Sequence, residues 1–65
     1  MQYLTSSAIR AVDYNEAMLT LTVWFTESGG PYAYYNVPKS EYRGLLAANS
    51  SGAYFNSHIR AQYAA

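Results

Sequence analysis

The 65-residue chain has no cysteine, which excludes both a disulfide framework and cysteine-ligated metal. It has a single histidine, His58, with no second one at ligand spacing. Asp13, Glu16, Glu27 and Glu41 are scattered along the sequence, so no metal site is indicated. Charge is scarce as well: four Lys and Arg residues balance four Asp and Glu, for a net charge of +0. Nucleic-acid-binding domains draw most of their affinity from neutralised phosphates and released counterions. A neutral chain lacks that pull, unless Arg10, Lys39, Arg43 and Arg60 gather on one side. Long apolar runs are missing too, and Met1-Gln-Tyr-Leu-Thr-Ser-Ser carries no basic segment. Neither a signal peptide nor a membrane span is therefore expected, and a cytoplasmic protein is. There is no G-x-S-x-G elbow, no P-loop and no pair of carboxylates. The expectation is a protein without catalysis, metal or cofactor, His58 beside Ser57 or Tyr54 being the one candidate base.

What the chain does have is apolar and aromatic. Hydrophobic residues make up 51%, and eight of the 65 residues are tyrosine. That suffices for one small domain over residues 1–65, near the lower size limit for folding on a single core. The expected class is α+β, a three-stranded antiparallel meander followed by two short helices on one face (β-β-β-α-α). Ser6 to Tyr14 reads as the first strand; the three-residue spacing of its anchors Ile9 and Val12 predicts a bulge or a late start. Met18 to Phe25 alternates cleanly, with Leu19, Leu21, Val23 and Phe25 on one face and Met18, Thr20, Thr22 and Trp24 on the other. Thr26 to Pro31 forms a hairpin loop, and Tyr32 to Val37 returns as the third strand. Within it, Ala33, Tyr35 and Val37 are expected to face the core, leaving Tyr32 and Tyr34 outside with Trp24.

Pro38 suits the first turn of a helix, where a missing N–H costs nothing. Tyr42, Leu45, Leu46 and Asn49 then give a stripe at i, i+3, i+4, i+7. Gly44 inside that helix suggests a close approach to the sheet. Asn49-Ser50-Ser51-Gly52 ends it and opens a second helix, about Gly52 to Tyr63, with Phe55, Ile59 and Tyr63 at i, i+4, i+8. The expected core is Leu19, Leu21, Val23, Phe25, Leu45, Leu46, Phe55 and Ile59.

Three blocks of this sequence form a wider pattern. The first is Ser6-Ser7-x-Ile9-x-x-Val12-x-Tyr14, and the second Tyr32-x-Tyr34-x-x-Val37-Pro38-x-x-x-Tyr42-x-x-Leu45. The third is Ala48-x-Ser50-x-Gly52-x-Tyr54-Phe55-Asn56-x-x-Ile59-x-x-x-Tyr63. In these blocks the chain resembles the KTSC domain, named from the C-terminus of some lysyl-tRNA synthetases and also found as small stand-alone bacterial or phage proteins. Asn15 departs from that pattern, which often has Asp after the tyrosine. The synthetase context implies an RNA-binding accessory domain.

Two groups of residues are candidate sites. Tyr32, Tyr34 and Trp24 could stack on nucleobases, each stack contributing about 1–3 kcal/mol. The same rings could equally form a homo-oligomer interface, since small domains often need that burial. Ser51 and Gly52 at a helix start, with Asn56 and Arg60 one and two turns on, could hold a phosphate, Arg43 adding a further cation. Ordinary capping by Ser-Ser-Gly is the alternative there. The expected function is a non-enzymatic, homo-oligomeric module for a nucleotide-like ligand, one that sequesters a nucleotide signal. RNA binding and pure structural assembly are the alternatives.

Overall fold

The computed structural model describes residues 1–63. Four strands, β1 (Gln2–Tyr3), β2 (Ile9–Asn15), β3 (Thr20–Phe25) and β4 (Gly29–Tyr34), pair antiparallel in the order β1-β2-β3-β4. Helices α1 (Lys39–Ala47) and α2 (Ser51–Tyr54) follow, and α2 runs on without a break into a π-helical stretch, Phe55–Arg60. The class is the expected α+β, but the sheet has four strands, not three. The additional strand, β1, is two residues long and too short to show any alternation; it lies along β2 opposite Ala11 and Val12. The predicted irregularity of β2 lies between Ile9 and Ala11, where the register against β3 shifts by one residue. That bulge lets Ile9 and Val12 both reach the core, where each is fully buried.

Directly opposed residues share a face of an antiparallel sheet. Val12 opposes Val23, and Leu21 opposes Tyr34, so these define the inner face. Leu45 of α1 and Phe55 and Ile59 of the last helix close over it, with Val37 beside them. Trp24 opposes Ala11, and Thr22 opposes both Asp13 and Ala33, which defines the outer face. Two expected core residues lie elsewhere. Leu19 is exposed because it belongs to the β2–β3 turn, with a left-handed backbone (φ 51°), and not to the strand. Asn15 Oδ1 organises that turn by accepting from the Met18 N–H at 3.1 Å. Leu46 is exposed because Leu45 alone faces the sheet from that part of α1.

The parity predicted for β4 is also overturned. Tyr34 is 8% exposed and Tyr35 is 55% exposed, the reverse of expectation. Val37 is buried as expected, yet it does not share a strand with Tyr35. β4 stops at Tyr34, and Asn36 takes a left-handed conformation (φ 61°) that swings Val37 back inward. Val37 is then held from both sides: its N–H donates to Leu19 O at 2.9 Å, and its carbonyl accepts from Tyr14 Oη at 2.6 Å. Tyr14 in turn stacks on Tyr42 of α1, with ring centroids 4.8 Å apart.

Gly44 does mark a close approach, but to α2 and not to the sheet. A side chain there would run into the Tyr54 ring and hydroxyl. Tyr54 Oη donates to Glu41 at 2.7 Å, an interaction that raises the Tyr54 pKa by favouring the protonated phenol. The two helices thus dock through one tyrosine laid on one glycine.

Candidate ligand-binding cleft

At the hairpin end of the inner face the helices do not fully cover the sheet. Phe25 ends β3, Tyr32 and Tyr34 alternate inward along β4, and Phe55 and Arg60 descend from the last helix. With Ser28 of the hairpin they line a cleft of about 330 Å³. That is at the small end of the range for ligand pockets, about 300–1,000 Å³. The four rings touch in a chain of contacts, two of them edge-to-face and the one to Tyr32 tilted. Phe55 meets Phe25 at 5.3 Å and 73°, and Tyr34 at 5.2 Å and 80°; Phe25 meets Tyr32 at 5.6 Å and 55°. Edge-to-face contacts of this kind add about 0.5–1.5 kcal/mol each beyond the area they bury.

Tyr32 is 41% exposed and forms the accessible wall, whereas Tyr34 is the floor. Burial pushes the Tyr34 hydroxyl above the usual phenol range, with the Arg60 charge acting in the opposite direction. Arg60 therefore acts on the ring cluster electrostatically as well as lining the same hollow.

Of the predicted site residues, the fold brings together Tyr32, Tyr34 and Arg60. The others are dispersed. Trp24 is on the outer face, where it lines a separate hollow with Met1, Tyr3, Arg10 and Ala11. The predicted trio of Trp24, Tyr32 and Tyr34 on one open face is thus divided between the two sides of the sheet. Ser51 lines a third hollow with Thr5, Ser6 and Ser50, on different elements from the cleft. Gly52 lies against Ala8, where an added Cβ would sit 3.0 Å from the alanine's own. Ser50 acts as the helix cap, its side chain accepting from Ala53 N–H at 3.3 Å. Asn56 is exposed and outside the cleft lining. Arg43 is exposed near Glu16, whose carboxyl is held below its usual range, first by the Lys39 hydrogen bond and charge, and least by Arg43. His58 stacks on Tyr54 at 4.2 Å and does not line the cleft. Among the described residues no three His, Asp or Glu side chains cluster as metal ligands would, and no helix is long and apolar enough to cross a membrane.

Sequence reasoning missed Phe25, Phe55 and Ser28 as cleft residues. Phe25 and Phe55 read as core from their periodicity. The signal that was available is position: Phe25 immediately precedes the hairpin loop, where a core frays into solvent.

The model of the KTSC domain matches residues 5–63. The chain belongs to the KTSC domain family. A protein of Tsukamurella paurometabola is 40% identical over 65 residues, covering 100% of this chain and 96% of its own length. The crystal structure of a KTSC domain protein from Yersinia pestis superposes with a TM-score of 0.92 at 28% identity, covering 97% of this chain and 87% of that one. All three sequence blocks fall within the residues that the family model matches.

Proposed function

We propose that this KTSC domain is a non-enzymatic binding module whose cleft takes a small nucleotide-like ligand. The observation that carries this is the meeting, in one hollow, of an accessible tyrosine wall and a guanidinium: Tyr32 over the Phe25–Phe55–Tyr34 cluster, with Arg60 beside it. A ring wall receives a planar base, and a guanidinium receives an anionic oxygen through charge-assisted hydrogen bonds. Sequestering a nucleotide signal is the role that a module of this kind would serve.

RNA binding is the alternative, and the distribution of charge disfavours it. A polymer track needs several cations along one groove. Here Arg60 is in the cleft, Arg10 is on the outer face, and Lys39 and Arg43 are beside Glu16, with Lys39 Nζ paired to its carboxylate at 2.5 Å.

A homo-oligomer is the second part of the proposal. Met1, Tyr3 and Trp24 form an apolar group on the outer face, flanked by Arg10 and Asp13 of opposite sign. In an isologous contact each such charge can meet its opposite on the second copy.

Calorimetric titration of mono- and cyclic nucleotides beside a short single-stranded RNA, at two salt concentrations, tests the ligand. The expected outcome is nucleotide binding with a shallow salt dependence, weakened by Tyr32→Ala by about 1–3 kcal/mol through lost stacking. Tight RNA binding with a steep salt slope would replace the proposal with its alternative.

A further inference from the structure

Arg60 and Phe55 are five residues apart and line the same cleft. In an α-helix with about 3.6 residues per turn, a residue five positions on lies about 140° round the axis, most of the way to the other side. The stretch Phe55–Arg60 is π-helical, however, and its wider turn closes by i→i+5 bonding, which brings residue 60 back above residue 55. Ile59 stays buried in the core at the same time, and Asn56, Ser57 and His58 are left on the exposed side. At this chain length the π turn is what allows consecutive residues to divide the work, Ile59 to the core and Arg60 to the cleft. π turns within helices are frequent at functional sites, and this one forms the last turn of its helix, ending at Arg60.

We propose that the π turn sets the cleft's ligand class: a planar aromatic that also carries a single anionic group for Arg60 to receive. This rests on the cleft being the binding site and goes further by assigning Arg60 as a positioned anion reader. The cleft contains one cation, and it adjoins the ring cluster, where it acts on the Tyr34 hydroxyl. A ligand with a single phosphate or carboxylate satisfies that cation. A neutral aromatic leaves it unused, and a free anion forgoes the ring wall.

The test is titration of adenosine, AMP, phenyl phosphate and inorganic phosphate, followed by calorimetry and by the amide NMR shifts of Tyr32 and Arg60. AMP is expected to bind roughly ten-fold or more tightly than adenosine, the increment of a charged hydrogen bond. Phenyl phosphate should shift the same resonances, and inorganic phosphate alone should not. The informative variant is R60A/A61R, which moves the cation one position, to a residue that is exposed and outside the cleft lining, with net charge unchanged. It should lose the AMP preference while keeping adenosine affinity, with circular dichroism checking that it folds. If AMP and adenosine bind equally to the native chain, the anion-reading inference is overturned and the ring cleft stands. The inference also fails if the relocated arginine restores AMP binding, because position would then not matter. If none of the four probes moves the Tyr32 resonance, the cleft itself is not the site, and both readings fall.

Discussion

The two faces of the sheet are built from the same three longer strands but put to opposite uses. On the inner face, Val12, Leu21 and Val23 are sealed beneath Leu45, Phe55 and Ile59, and the seal opens only where Phe25, Tyr32 and Tyr34 reach past the helix. On the outer face, Thr20, Thr22 and Asp13 meet water around a small apolar group of Tyr3, Ala11 and Trp24. Tyrosine occurs on both sides, Tyr3 outside and Tyr32 and Tyr34 inside, so tyrosine content does not distinguish them. Strand parity and the point where each strand ends do. The inner aromatics are ordered by their contacts with one another, whereas the outer ones, Tyr3 and Trp24, line an open hollow with Met1 and Arg10.

The largest expected asymmetry is in stability. Leu21→Ala, on the inner face, should cost about 2–5 kcal/mol, a large share of what so small a domain has. Thr22→Ala, its neighbour on the outer face, should cost under about 0.5 kcal/mol. Urea denaturation of both measures the ratio, and near-equal costs would show that the faces are not divided as described. Next in size is the helix contact. Gly44→Ala gains roughly 1 kcal/mol of helix propensity, yet it places a methyl group against the Tyr54 ring. The overpacking cost of about 1–3 kcal/mol should prevail, and thermal denaturation should show a lower midpoint. A raised midpoint would mean that α1 and α2 can separate freely. Trp24→Ala, also on the outer face, sharpens the comparison through two readouts other than stability. Light scattering at micromolar concentration should report at least a dimer for the native chain and a monomer for the variant. Nucleotide titration should be the same for both, since Trp24 lines no part of the cleft.

How far the sequence revealed all this depended on which signals were local. The alternation of Leu21, Val23 and Trp24 fixed the two faces of β3 because period two was unbroken there. The spacing of Ile9 and Val12 pointed to a bulge, and one is present. Tyr34 was misplaced because its parity was counted backwards from Val37, across a left-handed Asn36 that no local pattern announces. Pairing against β3, a long-range fact, decides it instead: Tyr34 opposes Leu21. The candidate site was legible as residue types and only half legible as a place. Tyr32, Tyr34 and Arg60 converge through register and helix winding, neither of which composition encodes. Ser51 and Gly52 suggest an anion site by their backbone chemistry, but the capping hydrogen bond there is made by Ser50 and Gly52 is packed against Ala8.

The π turn also bears on how this domain can change length. A helix that winds wide between Phe55 and Arg60 holds one residue more than an α-helix of the same rise requires. With Ser57 removed and the stretch rewound to about 3.6 residues per turn, the isoleucine would sit three positions beyond Phe55 and the arginine four, about −60° and +40° round the axis. Both would still face the sheet and the cleft. Loss of one residue in the middle of a helix ordinarily rotates everything beyond it out of place. Here the helix would shorten and still present the same two side chains, so kindred domains one residue shorter in this segment are expected to keep the same surface.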